Sequence, residues 1–288
     1  MRARPRTGRP RYSTAVHEPA PSETIDVGGR RLAWRAVGSG APLLLVNGYA
    51  ATSADWDPGL LYALGRSFRV ICPDNRGVGR SELGDTGTPL TIEAMARDLE
   101  ALLGALGIER APVIGWSMGG FVAQRLAARA PARVESLVLL SSDPGGASAV
   151  PPDADVWARL TDASGTPREQ AARLLSLLFP PVLGAEIDRR FGEVVAAARA
   201  ELSPDVLRAQ EAAMVAWHAE EPPRPDAHAP RVLAACGTAD VVIPPQNTDA
   251  LAAHWPVCRV ERFDGCGHAF MAQEPARLGE AIESFLRG

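Results

Sequence analysis

Short, wholly apolar runs alternate with helical patterns along most of this sequence, and no other feature constrains the fold as strongly. Apolar runs of this length are typical of strands that are covered on both faces of a sheet. Because parallel neighbouring strands need a crossover segment between them, the alternation predicts an α/β fold with a mostly parallel sheet flanked by helices. The runs occupy residues 42–46, 68–72, 112–114, 134–140 and 231–235, a further strand is expected near 257–263, and the clearest helical patterns occupy 92–106, 118–130 and 275–287.

Two segments depart from this rhythm. Residues 25–37 alternate in polarity around Gly28 and Gly29, which predicts a β-hairpin with a two-residue turn. Residues 144–230 contain no strand-like run, only Ala-rich helical stretches separated by proline pairs. Because proline ends helices, we interpret this segment as a helical cap inserted above the sheet.

The predicted organisation is one domain that the cap interrupts. The α/β core comprises residues 24–143 and 231–288, and the cap comprises residues 144–230. Residues 1–23 are rich in Arg and Pro and contain no apolar stretch. We therefore expect a disordered tail there rather than a secretory signal.

Charge and composition exclude several classes of protein. All 30 basic residues are Arg, so chemistries that need a lysine amine, such as a Walker A phosphate loop or a pyridoxal-phosphate Schiff base, are excluded. Residues 1–21 carry five Arg and one Glu, which leaves 25 basic and 33 acidic residues for the rest of the chain. An acidic body argues against a nucleic-acid partner.

The sequence also predicts neither a membrane span nor a metal site. Its longest apolar runs fall far short of the roughly 20 residues that a transmembrane helix needs. The four cysteines and five histidines match no zinc-ligand spacing, so we expect no metal and no cofactor. Without an export signal, the cysteines are expected to be reduced thiols in a cytoplasmic protein. We expect a monomer or homodimer that acts on a small molecule.

A G-x-S-x-G motif at residues 115–119 joins a predicted strand to a predicted helix, with Ser117 at its centre. Where a strand turns sharply into a helix the backbones come close together, so side chains at positions 115 and 119 would collide. The turn exposes the Ser117 hydroxyl at a helix N-terminus, whose N–H groups stabilise negative charge. Ser117 is therefore the predicted nucleophile, and the alternative for it is a helix N-cap.

A serine hydroxyl is a poor nucleophile until a base removes its proton. Asp240 and His268 each lie just after a predicted strand, at the sheet edge where Ser117 is expected. In this arrangement His268 accepts the proton from Ser117, and Asp240 holds the imidazole tautomer and stabilises its cation. Asp143, which follows the strand at 134–140, is the alternative acid, although its surroundings (SSDPGG) also make a good turn.

Taken together, these motifs resemble the cap-bearing, serine-nucleophile branch of the α/β-hydrolase family. That branch includes esterases, lactonases, carbon–carbon bond hydrolases and cofactor-free haloperoxidases. The resemblance covers residues 24–287, and an aspartate-nucleophile relative, such as an epoxide hydrolase, would carry Asp at position 117. It rests on Asn47-Gly48-Tyr49, residues 74–81 (DNRGVGRS), the G-x-S-x-G turn, and the loops of Asp240 and His268.

The resemblance implies an oxyanion hole formed by the backbone N–H groups of Tyr49 and Met118. Loss of one such donor typically costs about 3 kcal/mol of transition-state stabilisation. Relatives usually carry His-Gly where this chain has Asn47-Gly48. Because the donor is a backbone group, we expect the oxyanion hole to persist and the substrate scope to differ.

Four further residues are predicted to contact substrate. Trp116 is next to the nucleophile, while Trp157, Met214 and Trp217 belong to the predicted cap. Aromatic residues at helical spacing also pack a cap onto a sheet, and that alternative stays open for the cap residues.

The resulting functional prediction is a serine hydrolase that cleaves a small or medium carboxylic ester or lactone through an acyl-enzyme intermediate. The same triad would also serve a carbon–carbon bond hydrolase, or a perhydrolase or haloperoxidase without a cofactor. Outside the enzymes, the alternative is a ligand receptor that keeps the pocket without turnover, because a fold does not determine a function.

Overall fold

The computed structural model describes residues 22–84, 87, 89–225 and 229–288, and within them the chain forms eight β-strands and nine α-helices. The strands are β1 (Glu23–Asp26), β2 (Arg31–Val37), β3 (Ala41–Val46), β4 (Phe68–Pro73), β5 (Ala111–Trp116), β6 (Val134–Leu140), β7 (Arg231–Gly237) and β8 (Cys258–Phe263). The helices are α1 (Pro58–Gly65), α2 (Ile92–Ala105), α3 (Met118–Arg129), α4 (Ala154–Thr161), α5 (Pro167–Leu178), α6 (Pro181–Ala200), α7 (Pro204–Ala219), α8 (Gln246–His254) and α9 (Pro275–Arg287). Of the predicted tail, residues 1–21 lie outside the described residues, and Glu23 already begins β1.

All eight strands belong to one sheet, in the order β1-β2-β4-β3-β5-β6-β7-β8. The strands from β3 to β8 run parallel to one another, and the antiparallel pairs are β1 with β2 and β2 with β4. The mostly parallel α/β architecture expected from the alternation of apolar runs and helices is therefore confirmed. Because the strands are parallel, the loops after β3, β5, β6, β7 and β8 meet at one edge of the sheet.

The antiparallel start of the sheet is the predicted hairpin. The Val27 N–H donates to the Arg30 carbonyl at 2.8 Å, which leaves Gly28 and Gly29 as the two turn residues. Both have positive φ, +67° and +79°. A type I′ turn needs positive φ at both central positions, and this explains why the sequence has two glycines there.

The central strands are wholly apolar because both of their faces are covered. In β3, Leu44 and Val46 pack into a core with residues of α2 and α3. Leu43 and Leu45, which point to the opposite face, pack with residues of α1 and α9. All four side chains are fully buried. A strand that is buried on both faces has no alternation of polar and apolar residues, and its continuous apolar run is what predicts the strand from the sequence.

Helices α4 to α7 occupy the chain between β6 and β7, and no strand lies among the described residues of that segment. Three of the four begin with Pro at the first helical position, where a missing N–H costs no hydrogen bond. Helices α5 and α6 pack against each other as a hairpin. No helix in the described part of the chain is long and apolar enough to cross a membrane.

Candidate active site

Ser117 lies at the junction of β5 and α3 with a strained backbone. Its φ of 55° and ψ of −124° are unusual for a residue with a side chain. The Ser117 N–H donates to the Leu140 carbonyl at 2.9 Å, and the Ser142 hydroxyl donates to the Ser117 carbonyl at 3.1 Å. Although Ser117 occupies the N-cap position of α3, its hydroxyl makes no capping hydrogen bond. The Ser117 hydroxyl therefore does not cap the helix.

Close backbone packing around this turn explains the motif's glycines. A Cβ atom at Gly119 would lie 2.2 Å from the Val46 carbonyl oxygen at the end of β3, so a side chain does not fit. One at Gly48, in the loop after β3, would lie 3.2 Å from Ser117 Cβ. The loop that carries Tyr49 is therefore directly beside Ser117.

Asp240 and His268 form a buried hydrogen-bonded pair in the loops after β7 and β8. His268 Nδ1 lies 2.9 Å from Asp240 Oδ2. Asp240 Oδ1 accepts hydrogen bonds from the N–H groups of Val242 (2.9 Å) and Ile243 (3.0 Å), which fix the carboxylate. Because Asp240 engages Nδ1, the Nε2 atom of His268 remains for a proton from a nucleophile.

Asp143, the alternative acid, pairs with a different histidine. Its Oδ2 lies 3.0 Å from His218 Nε2, and its Oδ1 accepts from Trp217 Nε1 (3.1 Å) and the Gly145 N–H (2.9 Å). The carboxylate is buried at 1% exposure. The two candidate acids thus pair with different histidines: Asp240 contacts His268, and Asp143 contacts His218.

Ser117 and His268 line one cavity of about 190 Å³, whose walls come from the sheet edge and from α4 to α7. Trp116, Trp157 and Met214 also line it. Trp116 is held beside His268, since its Nε1 donates to the His268 carbonyl at 3.3 Å and the two rings are 5.5 Å apart. The other apolar lining residues include Phe121, Leu160, Leu175, Phe179, Ile243 and Met271.

Trp217 lies elsewhere than the sequence predicted. It does not line the cavity but is buried behind it, stacked on Phe121 with ring centres 5.2 Å apart and bonded to Asp143. Helical spacing had suggested two roles for the cap aromatics, and Trp217 has the packing role. Its neighbour on α7, His218, reaches the cavity instead.

The loop after β3, which carries the expected oxyanion donor Tyr49, is held by side chains on both sides. Asn47, where relatives usually have His, is buried, and its Nδ2 donates to the Pro73 carbonyl at 3.1 Å. On the side of α7, Tyr49 Oη donates to Glu211 Oε1 at 2.5 Å, and the Ala50 N–H donates to Gln210 Oε1 at 3.0 Å. Gln210 and Glu211 could not be identified from the sequence alone, because their role depends on which face of α7 meets the loop.

The titratable groups of the cavity wall are acidic apart from two histidines and Tyr49. Asp55 and Asp57 line the cavity, and no Arg is among its described lining residues. Burial raises the pKa of Asp57, and burial together with the Glu211 carboxylate raises the pKa of Tyr49, which keeps its phenol protonated. Within the described residues no cluster of three or more His, Cys, Asp or Glu side chains is arranged to hold a metal ion.

Comparison with known proteins gives consistent matches across the chain. A family model for the alpha/beta hydrolase fold matches residues 41–275. A putative carbamate hydrolase RutD of Variovorax paradoxus (strain S110) is 32% identical, over 86% of this chain and 92% of that protein. Among solved structures, a thermophilic esterase from Thermogutta terrifontis with malate bound is 28% identical, with a TM-score of 0.67 over 93% of this chain and 98% of that one. The enol-lactonase from Burkholderia xenovorans LB400 is 25% identical, with a TM-score of 0.74 over 92% and 100%.

Proposed function

Because the chain belongs to the α/β-hydrolase family, we propose that it is a serine hydrolase that cleaves a small or medium carboxylic ester or lactone through an acyl-enzyme. One observation carries this proposal: Ser117, strained and free of capping, lines the same cavity as His268, whose Nδ1 lies 2.9 Å from Asp240. The similar proteins named for a carbamate, an ester and an enol-lactone support it, since each name denotes an acyl carbon bound to a heteroatom.

In the proposed reaction the Ser117 hydroxyl oxygen attacks the substrate carbonyl carbon while His268 Nε2 takes the hydroxyl proton. The negative charge that develops on the carbonyl oxygen is stabilised by the backbone N–H groups of Tyr49 and Met118. His268 then donates the proton to the departing alkoxide, and the acyl group stays on Ser117. Water, deprotonated by His268, attacks the acyl carbon and releases the carboxylic acid, which restores the serine.

The cavity wall favours a neutral, apolar acyl group. Its lining is mainly aliphatic and aromatic, with the carboxylates of Asp55 and Asp57 and no Arg among the described lining residues. An anionic substrate would meet negative charge there without a compensating cation, except the imidazole of His218, which already pairs with Asp143. We therefore propose uncharged esters and lactones as the substrates.

Covalent labelling tests the proposal without knowledge of the substrate. We expect a fluorophosphonate probe to add one phosphonyl group to the wild-type protein and none to Ser117→Ala, as measured by intact-mass spectrometry. Ser136→Ala is the matched control, because Ser136 is a buried serine at 1% exposure that does not line the cavity. It should be labelled like the wild type.

Peptide mapping should place the added mass on Ser117. Labelling that persists in Ser117→Ala would assign the reactive group to another residue. A wild-type protein that binds small apolar ligands in the cavity but resists the probe would refute the nucleophile and leave a non-catalytic receptor. If Ser117 is labelled, faster cleavage of β-diketones than of simple esters would favour the carbon–carbon bond hydrolase instead.

A further inference from the structure

Helix α7 contacts the loop after β3 through two consecutive residues. Gln210 Oε1 accepts from the Ala50 N–H at 3.0 Å, and Glu211 Oε1 accepts from Tyr49 Oη at 2.5 Å. We call these two bonds the α7 clamp. They join a segment between β6 and β7 to the segment in which the proposed oxyanion donor lies, 160 residues apart for the first bond.

The hydrogen bond to the Ala50 N–H explains why a glutamine occupies position 210. Gln210 is fully buried, and among the described residues its Nε2 atom has no hydrogen-bond partner. A buried amide that leaves one end unpaired is costly, so core packing alone would favour an apolar residue. What Gln210 supplies, and an apolar residue could not, is an acceptor for the Ala50 N–H.

Ala50 is the residue that most needs to be held. Its φ of 56° lies in the left-handed region, which is unfavourable for a residue with a side chain. Tyr49 directly precedes it, so the direction of the peptide group between Tyr49 and Ala50 follows this strained geometry. The Tyr49 N–H belongs to the adjacent peptide group, between Gly48 and Tyr49, and is joined to the first one through the Tyr49 Cα atom. The hydrogen bond to Gln210 holds that peptide group, and the Glu211 bond holds the Tyr49 side chain.

The C-terminal end of α7 is anchored as well. Trp217 Nε1 and His218 Nε2 both bond to the buried Asp143 after β6. Trp217 comes seven positions after Gln210, or about 10.5 Å along the helix axis. Between them Met214 lines the cavity. The helix is thus tied at its middle and at its C-terminal end to loops at the functional edge of the sheet, which makes it a firm support for the clamp.

We propose that Gln210 and Glu211 are positioning residues, which act through Ala50 and Tyr49 to aim the Tyr49 N–H at the developing oxyanion. The inference rests on the proposed function and adds to it that the oxyanion hole is completed from the cap. A donor that is displaced by about 1 Å loses most of its catalytic effect, whereas ground-state binding to the apolar wall is unaffected.

The test replaces Gln210 with Met, which has a similar length but no acceptor for the Ala50 N–H. With p-nitrophenyl butyrate as the probe, we expect kcat to fall 10- to 100-fold and KM to change by less than threefold. Binding of a trifluoromethyl ketone, which forms a tetrahedral adduct with the serine, should weaken by the same factor as kcat. Amide hydrogen exchange of residues 47–52 should become faster.

Val206→Ala is the matched control, since Val206 is a buried residue of α7 that does not line the cavity. It should lower the melting temperature and leave kcat and the exchange of residues 47–52 as in the wild type. Tyr49→Phe, which removes the second clamp bond and keeps the backbone N–H, should reproduce the Gln210→Met effect in milder form.

The outcomes separate the two proposals. Unchanged exchange in Gln210→Met, or faster exchange with a wild-type kcat, would overturn the clamp in a protein that still hydrolyses esters. A wild-type protein that neither cleaves the ester nor is labelled at Ser117 would overturn the proposed function, and with it the catalytic role of the clamp.

Discussion

At the scale of single residues, the pair of the buried Asp143 and the half-buried His218 is the less expected of the two acid–histidine pairs. The Nε2 atom of His218 lies 3.0 Å from the Asp143 carboxylate. Burial lowers the pKa of His218, but the hydrogen bond and charge of Asp143 outweigh burial and raise it above the usual value.

This raised pKa predicts how stability changes with pH. A histidine whose folded pKa exceeds its unfolded value of about 6.5 stabilises the fold fully below that pH, and the stabilisation is lost as the pH rises through the folded pKa. We therefore expect the difference in free energy of unfolding between wild type and His218→Gln to shrink as the pH is raised from 6.5. Urea unfolding at a series of pH values measures it.

The same substitution in an Asp143→Asn background provides the control. Without the carboxylate, the difference in the free energy of unfolding should no longer shrink as the pH rises, because burial alone lowers the pKa of His218. A difference in the native background that stays constant or grows with pH would show that His218 is not the protonated partner of Asp143.

At the scale of elements, the ends of β7 and β8 touch without side chains between them. A Cβ atom at Gly237, the last residue of β7, would lie 2.2 Å from the Cys266 carbonyl oxygen. The loop with Asp240 thus packs backbone to backbone on the loop with His268. The 2.9 Å contact between Asp240 and His268 depends on this close approach.

Gly237→Ala should therefore impair both stability and activity. Overpacking of this kind costs about 1–3 kcal/mol, and because it pushes the two loops apart we expect kcat for p-nitrophenyl butyrate to fall at least tenfold. Gly265→Ala is the control: its φ of +68° makes alanine unfavourable, but no atom lies within 4 Å of the added Cβ. Its melting temperature should fall with kcat within about twofold of wild type. A Gly237→Ala enzyme with wild-type kcat would contradict the argument.

The elements were predictable where local sequence determines them. Apolar runs predicted β3 to β7 because those strands are covered on both faces, and Gly28-Gly29 predicted the hairpin turn because few other residues adopt its φ values. The order of motifs also placed Ser117, Asp240 and His268 in loops at one edge of the sheet.

What the sequence could not supply were contacts between elements distant along the chain. Periodicity places a residue on a helix face but does not identify what that face touches. Trp217 therefore appeared as a pocket residue although it packs behind the cavity, and the partners of Asp143 and the α7 clamp stayed hidden.

At the scale of the whole molecule, the excess of acidic residues disfavours an anionic substrate, as the carboxylates of the cavity wall do. Apart from residues 1–21, the chain carries 33 acidic and 25 basic residues. Asp55 and Asp57 line the cavity, with no Arg among the described lining residues. The field of the protein therefore repels an anion before it reaches the cavity.

Two esters of equal length test this effect. Mono-p-nitrophenyl succinate, with a free carboxylate, should be cleaved with a kcat/KM about tenfold or more below that of its methyl-capped neutral counterpart at low salt. The difference in kcat/KM between the two esters should become smaller at about 0.5 M salt, because ions screen the repulsion. Equal kcat/KM values for the two esters at low salt would show that a cationic group of the protein binds the substrate carboxylate.

The hydrogen bonds that join α7 to the loops after β3 and β6 also have a consequence for how such proteins diverge. Because Tyr49 and Ala50 depend on acceptors from Gln210 and Glu211, the segment between β6 and β7 is not a module that can be exchanged for one from another lineage while the core stays as it is. A change at either side of these bonds alters the selection on the other. Substrate range in this lineage would then evolve most freely through wall positions such as Trp157 and Leu160, which line the cavity without holding the loop.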